Sequence, residues 1–367
     1  MIRVLHAADR HLDSPFQALS RDKAARRRAE QRVTLGRIAD IARERKADMV
    51  LLAGDLFDTD AAYAETTELL EHVFADMDVP VFIAPGNHDW YGPQSIWSRL
   101  DLGSNVCVFN SERIRRVSIP ELNVRIWGAA FTGRQKNAPL AGFEAVKDGD
   151  TIDIMVLHGE VGNPGSVYGP ISEEDIARSG MDYIALGHQH AYSGLRRAGE
   201  TWYAWPGCPE GRGFDETGEK GVILAEVSQG GCRMEFIPLA GRRYEILPVD
   251  LTESDDHLAA VQGALDRDAR EDIYRILLRG ETDSEPDTAA LYRALEDRFF
   301  ALELRDETTL RRDIWASRDE DSLRGLFLAH LWEQYETAEG EADRDRIRRA
   351  ARYGLRALEN GDELPIA

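Results

Sequence analysis

Cysteine is scarce in this 367-residue chain: Cys107, Cys208 and Cys232 are too few for a disulfide framework and too scattered for a C-x-x-C metal site. They read as reduced, mostly buried small residues, and a cytoplasmic location is expected. No window reaches the roughly 18 uninterrupted apolar residues of a spanning helix, so no membrane segment is expected. No basic segment followed by an apolar core precedes the first strand, which argues against a secretory leader. Positive charge is also in short supply. The formal net charge is −21, which opposes unspecific nucleic-acid binding, because that affinity comes largely from Lys and Arg neutralising phosphates. Residues 241–367 carry 19 basic and 31 acidic side chains, against 26 and 35 before them, so the acid excess weighs more heavily in the last third. A nucleic-acid surface must then be a local basic patch, or be supplied partly by a partner chain. Internal repeats and low-complexity linkers are absent too.

What is present is a globular pattern, with 43% apolar and 30% charged residues. The length suits two domains, or one large domain with an appendage. Residues 2–8 read as a strand followed at once by Asp9-Arg10-His11. A helix follows from Ser20, a candidate N-cap, to Arg45, with Val33, Ile38, Ile41 and Ala42 at helical spacing. Residues 48–53 form a second buried strand, residues 62–77 a second helix, and residues 81–84 a third strand between Pro80 and Pro85. This rhythm predicts a parallel sheet covered on both faces. Short strands near 106–109, 114–119 and 123–128 look antiparallel. Residues 152–157 and 182–186 return to the first pattern, and antiparallel-looking strands follow near 193–197, 201–205, 221–227, 232–238 and 244–248. From about residue 250 the composition shifts. Helices are expected over 254–270 and 288–300, a strand over 273–278 and an acidic turn over 281–287. Two amphipathic helices close the chain, one carrying Leu323, Phe327, Leu331 and Tyr335, with Leu328 and Trp332 alongside. The other carries Ile347, Ala351, Leu355 and Leu358 and stops at Asn360-Gly361.

Chemistry gathers at five strand ends: Asp9 and His11; Asp55; Asn87 and His88; His158; His188 and His190. Any one of these clusters is ordinary, since a single strand-end histidine is more often a satisfied structural residue. Five of them, each directly after an apolar strand, point to a metal centre. Five of the nine histidines sit here, and the other four, His6, His72, His257 and His330, keep a structural reading. Two divalent cations about 3.5–4 Å apart clamp a phosphate and activate a nucleophile at neutral pH. A carboxylate such as Asp55 bridges them naturally. Mixed imidazole, carboxylate and amide donors suit Mn, Fe or Zn better than Mg or Ca. The leaving oxygen also needs a proton from an imidazole that is near the metals but not bound to them.

In this order the blocks Asp9-Arg10-His11, Gly54-Asp55-Leu56-Phe57-Asp58, Gly86-Asn87-His88-Asp89, His158 and Gly187-His188-Gln189-His190 resemble the calcineurin-like metallophosphoesterase superfamily over roughly residues 1–240. The resemblance implies a four-layer αββα sandwich of the α/β class. It implies one metal, most readily Mn, on Asp9, His11 and His190, and a second on Asn87, His158 and His188, with Asp55 bridging. His88 would be the unligated histidine, acting as general acid or stabilising the pentavalent phosphorus, Asp58 the carboxylate that orients it (or a turn or cap residue), and Asp89 a loop brace. Arg10 stands where the family commonly has an apolar or aromatic residue; a cation there would hold a phosphate or point to solvent.

Two further stretches, His6 to Phe16 and Tyr203 to Gly221, resemble the bacterial YhaO-type branch of DNA repair exonucleases, related to SbcD. This implies a metal-dependent nuclease acting on DNA as a homodimer, beside an SMC-like coiled-coil ATPase of the SbcC type. The expected organisation is a nuclease domain over 1–248, an α+β capping domain over 249–310 and a helical tail over 311–367 that grips the ATPase. Gly207 and Gly211–Gly213 would let backbone approach a phosphodiester with Arg212 on the phosphate, or simply make a turn. The basic run Lys23, Arg26, Arg27, Arg28 and Arg32 reads as a DNA track or as a solvated helix face. The alternative function is a small-molecule phosphodiesterase or phosphatase. A non-catalytic scaffold is opposed by the complete ligand set.

Overall fold

The structure, a computed structural model, describes residues 1–59, 61–135, 138–252, 254, 256–265, 268–282, 284–310 and 314–360. The chain begins β1 (Ile2–Ala7), α1 (Arg21–Glu44), β2 (Met49–Leu52), α2 (Ala64–Ala75), β3 (Val81–Ile83) and β4 (Val106–Val108). It continues with β5 (Arg115–Ile119), β6 (Val124–Gly128) and β7 (Ile152–His158), then the small pair β8 (Glu160–Val161) and β9 (Pro170–Ile171). Next come α3 (Glu173–Arg178), β10 (Tyr183–Gly187), β11 (Arg196–Ala198), β12 (Thr201–Ala204), β13 (Gly221–Ser228) and β14 (Gly231–Pro238). Two six-stranded sheets result, ordered β14-β13-β1-β2-β3-β4 and β11-β12-β10-β7-β6-β5.

The period-2 geometry of strands explains the layering. Ile2, Val4, Met49, Leu51 and Phe82 turn to the inner side of the first sheet and meet Ile126, Ile154, Val156 and Tyr183 of the second. The intervening residues Leu5, Val50, Leu52, Val81 and Ile83 turn outward onto Leu35, Ile38 and Ile41 of α1 and Leu70 and Phe74 of α2. Met155, Leu157, Ile184 and Leu186 do the same for the second sheet, against Ile176 of α3. The product is helix, sheet, sheet, helix, the four-layer sandwich expected. His6 sits between the sheets, with Nδ1 2.9 Å from the Tyr183 hydroxyl and Nε2 3.1 Å from the Leu186 carbonyl. Burial pushes its pKa down to about 3 against that carbonyl, so it is a neutral structural bridge.

Several local expectations are corrected. β4 runs parallel to β3, and β12 parallel to β10, rather than antiparallel. In the first case residues 84–105 form a crossover long enough to reverse direction; in the second, the antiparallel β11–β12 pair returns the chain alongside β10. Val33 is 74% exposed, and Leu35 takes its place in the buried stripe. Ser20 occupies the N-cap position of α1 without a side-chain capping bond.

The basic run on α1 is largely paired inside the molecule: Arg26 meets Glu30, and Arg32 meets Asp13 and Glu65. Arg27 is fully buried, with Nη2 2.9 Å from Glu210 Oε2 and Nη1 2.7 Å from Glu30 Oε2. Thr34 Oγ1 donates to the other Glu210 oxygen at 2.7 Å, so α1 clamps the loop that follows β12. Because removing one partner strands the other charge out of water, Arg27→Ala is expected to cost about 3–5 kcal/mol of stability. Urea unfolding measures this, and a loss below about 1 kcal/mol, the range of a surface pair, would show the clamp to be unimportant.

The chain divides into two compact units. One comprises Met1–Leu247, Leu265–Ile276 and Tyr292–Leu304; the other comprises Pro248–Ala264, Leu277–Leu291 and the residues from Arg305 on. The remaining elements are β15 (Tyr244–Asp250), α4 (His257–Ala264), β16 (Ile273–Arg279), β17 (Glu281–Thr282), α5 (Thr288–Leu295), β18 (Ala301–Asp306), β19 (Thr309–Leu310), α6 (Leu323–Thr337) and α7 (Glu341–Asn360). β15, β16 and β18 form a three-stranded sheet and β17 pairs with β19. α4 and α5 are shorter than the helices expected there. Within the second unit, Phe327, Leu328, Leu331, Trp332 and Tyr335 of α6 pack with Ile347, Ala351 and Leu355 of α7 and with Trp315. Leu323 and Leu358, read from sequence as part of these stripes, are exposed.

Candidate metal centre

β1, β2 and β3 run parallel in one sheet, β7 and β10 parallel in the other, and the candidate ligands follow directly on their carboxyl ends. The backbone must turn sharply to aim them. Asp9, His11, Asp55 and His188 all have left-handed φ values, of 53°, 45°, 50° and 99°. Such conformations cost about 1–3 kcal/mol each for non-glycine residues and persist where surrounding structure enforces them, as at functional sites. Two motif glycines make the close approach possible. A Cβ on Gly86 would fall 2.2 Å from Asp55 Oδ1, and one on Gly187 would fall 1.8 Å from the Ala53 carbonyl oxygen.

Asp89 braces these loops, as expected. Its carboxylate accepts from the backbone N–H of Gly86 and of Leu56, each at 2.8 Å. Burial and the neighbouring Asp55 charge push its pKa up to about 6.

The donors converge. Oxygens and nitrogens of Asp9, His11 and His190 lie within 4.8 Å of one another, and so do those of Asp9, Asp55 and His158. His158 Nδ1 is 2.8 Å from the Ala53 carbonyl, which turns Nε2 toward Asn87 Oδ1 at 2.9 Å and Asp55 Oδ2 at 3.4 Å. His11 Nε2 is 3.7 Å from the same Asp55 oxygen and 3.3 Å from His190 Nε2. Asp55 therefore touches both groups. Asp9 accepts from the His188 N–H at 3.0 Å, and the His188 ring sits edge-on to His158 at 5.3 Å. Burial drives Asp9 up to about 7 and holds His11 and His188 down to about 4. For His158 burial is outweighed by Asp55 and Asp9, which hold it up to about 9. A set of buried and half-buried imidazole nitrogens and carboxylate oxygens, each imidazole fixed through its other nitrogen or its backbone, fits divalent transition-metal ions.

His88 is different in kind. Its main-chain N–H donates to Asp55 Oδ1 at 2.9 Å, while its ring is exposed and packs edge-on to His11 at 4.7 Å. His88 Nδ1 lies 2.8 Å from the Asp58 main-chain oxygen. The orienting group on Asp58 is thus the carbonyl rather than the carboxylate expected. The Asp58 carboxylate instead accepts from Arg212 Nη1 at 3.0 Å and lies 3.2 Å from His11 Nδ1.

The two cations expected on a phosphate have protein partners in the structure. Arg10 is buried away from solvent, its Nη2 donating to the Gln31 carbonyl of α1 while Nε and Nη1 have no hydrogen-bond partner among the described residues. Arg212 bridges Asp58 and Glu216, with Nη2 2.7 Å from Glu216 Oε1. Glu216 was missed as a site residue. Its Oε1 lies 2.7 Å from His190 Nδ1, the carboxylate–imidazole geometry that orients a metal-binding histidine. Its only trace in the sequence was its place in the stretch from Tyr203 to Gly221. Glu216→Gln is expected to weaken metal binding about 10–100-fold, measured by titration of the apoprotein, and unchanged affinity would remove Glu216 from the site.

A four-layer sandwich with groups of metal-competent donors on its strand ends points to a metallophosphoesterase-type protein. Residues 2–192 match the family model for calcineurin-like phosphoesterases, and the chain belongs to that family. It is similar to the uncharacterized metallophosphoesterase YhaO of Bacillus subtilis, 31% identical over 269 residues, covering 70% of this chain and 65% of YhaO, just under two thirds of it. It also resembles the DNA double-strand break repair protein Mre11 of Saccharolobus solfataricus, at 22% identity over 77% of this chain and 76% of that protein. A third relative is the SbcD component of the nuclease SbcCD from Staphylococcus saprophyticus, at 23% identity over 65% of this chain and 69% of that protein. Among the described residues no helix is long and apolar enough to cross a membrane.

Proposed function

We propose that this chain is a two-metal phosphodiesterase that hydrolyses DNA. The observation that carries the reading is the pairing of a buried donor cluster with one exposed histidine, His88, held against it by Asp55 and Asp58. Asp9, His11 and His190 would hold one cation, and Asn87, His158 and His188 the other, with Asp55 between them. Mn is our first expectation, with Fe or Zn as alternatives. When bound, the pair would supply charge stabilisation to the phosphate and activate the attacking water. The protein's own contribution is positional. Asp89 holds the Asp55 and Asn87 loops together, Glu216 orients His190, and the Asp58 carbonyl fixes the His88 ring. His88 then delivers a proton to the leaving oxygen.

DNA as substrate is supported by the names of the Mre11 and SbcD relatives. From the resemblance of residues 6–16 and 203–221 we also propose a homodimer working with an SMC-like ATPase, and from the three scattered free cysteines a cytoplasmic location. Incubating the purified protein with Mn and labelled single- and double-stranded DNA tests this directly. Cleavage lost in a His88 variant is the expected result. Intact DNA together with turnover of a small phosphodiester would instead establish the second reading, a small-molecule phosphodiesterase or phosphatase, which the net charge of −21 favours.

A further inference from the structure

We propose that the cleft beside His88 is a nucleoside subsite, in which Trp90 and Tyr168 stack on a nucleobase and Arg134 meets an adjoining phosphate. The proposal rests on the phosphodiesterase reading of the same centre. The cleft has a volume of about 410 Å³, and Asp58, Asn87, His88, Trp90, Arg134 and Tyr168 line it. Asn87 and His88 place it against the donor cluster. Its size falls in the lower part of the ~300–1,000 Å³ range of small-ligand sites, which suits one nucleoside unit rather than a folded phosphoprotein surface.

Both rings are anchored away from the cores. Trp90 packs on the bare backbone of Gly92, where a Cβ would fall 2.6 Å from its Cζ3. Tyr168 leans on the His188 ring at 5.4 Å between centroids, with 33° between planes, and remains 39% exposed. A platform ordered in advance loses little freedom on binding, and stacking accepts any base because every base has a π-face. The third element is charge. Arg10 donates to Gln31, and Arg212 is held by Asp58 and Glu216. Arg134 is exposed and makes no ion pair with any other described residue, so it is the cation of this cleft free to meet a phosphate.

Calorimetric titration of the full chain in Mn buffer with deoxyadenosine 5′-monophosphate and with deoxyribose 5-phosphate tests the subsite without turnover. The base is expected to strengthen binding roughly 10-fold. Trp90→Ala and Tyr168→Ala should bring the two affinities together, and Arg134→Gln should weaken a dinucleotide more than the mononucleotide. Tyr168 lies at the surface and Trp90→Phe preserves an aromatic ring, so one informative variant folds in any case. Equal affinities in the unaltered protein, or an undiminished ratio in Tyr168→Ala, overturn the subsite. A small-phosphodiester hydrolysis assay separates the two failures. Turnover without base preference removes the subsite alone, whereas base preference without turnover removes the hydrolytic reading alone.

Discussion

The His88→Asn protein is expected to lose about 10²–10⁴-fold in kcat, the range for removing a positioned general acid, while its metal content stays at the unaltered level. On the proposed reading the two properties separate. What His88 gives the donor cluster is its main-chain N–H, 2.9 Å from Asp55 Oδ1, and that group survives any side-chain change. What the imidazole gives is a ring fixed through Nδ1 on the Asp58 carbonyl, with the rest of the ring exposed beside His11. An asparagine amide can donate to the same carbonyl but cannot protonate a leaving oxygen near neutral pH. A substrate whose leaving group needs no proton, such as a nitrophenyl ester, should be affected least. Elemental analysis alongside kinetics checks the pair of expectations. Loss of bound metal in this variant would mean that His88 is a ligand.

Asp55→Asn should produce the opposite pattern, in which metal binding fails first and activity follows. Asp55 Oδ2 lies 3.7 Å from His11 Nε2 and 3.4 Å from His158 Nε2, so one oxygen faces both donor groups. Burial opposes its ionisation, but His158 and His11 outweigh burial and hold the carboxyl well below the usual range. An amide of the same shape keeps the His88 N–H bond through its own oxygen and removes the negative charge. Affinity at both sites should fall by more than the roughly 10–100-fold typical of losing an outer contact. Calorimetry with Mn on the apoprotein resolves the two binding events. If only one of them weakens, Asp55 serves a single ion and the bridging assignment is wrong.

The contrast between these two residues is an expectation of the sequence, Asp55 from phosphate chemistry and His88 from the resemblance. Asp55 and His88 each stand just beyond an apolar run, and the chemistry of phosphate transfer asks for a bridging carboxylate and an unbound proton donor. The two faces of each strand were legible for a related reason. Alternation in β1 sends Val4 inward and Leu5 outward, and that assignment requires only the strand's own period. Arg212 shows where such reasoning stops. Beside Gly211 and Gly213 it reads as a phosphate contact, and nothing in that spacing announces that it bridges Asp58, 154 positions earlier, and Glu216. Arg10 likewise meets a group that its own stretch does not announce, the Gln31 carbonyl of α1.

The order of residues was enough for the buried strands, the helices between them and the five strand-end clusters, while the αββα layering was implied by the resemblance of the motifs. Strands, helices and clusters follow from periodicity and from where apolar runs stop, which neighbouring residues decide among themselves. Three other features came from tertiary packing alone: β4 runs parallel to β3 and β12 parallel to β10, the Asp58 carbonyl rather than its carboxylate faces His88, and Glu216 lies on His190. Each of those is a pairing between groups far apart in the chain. A hydrogen bond constrains distance and angle but leaves no spacing in sequence, so the choice among many carboxylates, carbonyls and strand edges is made by packing.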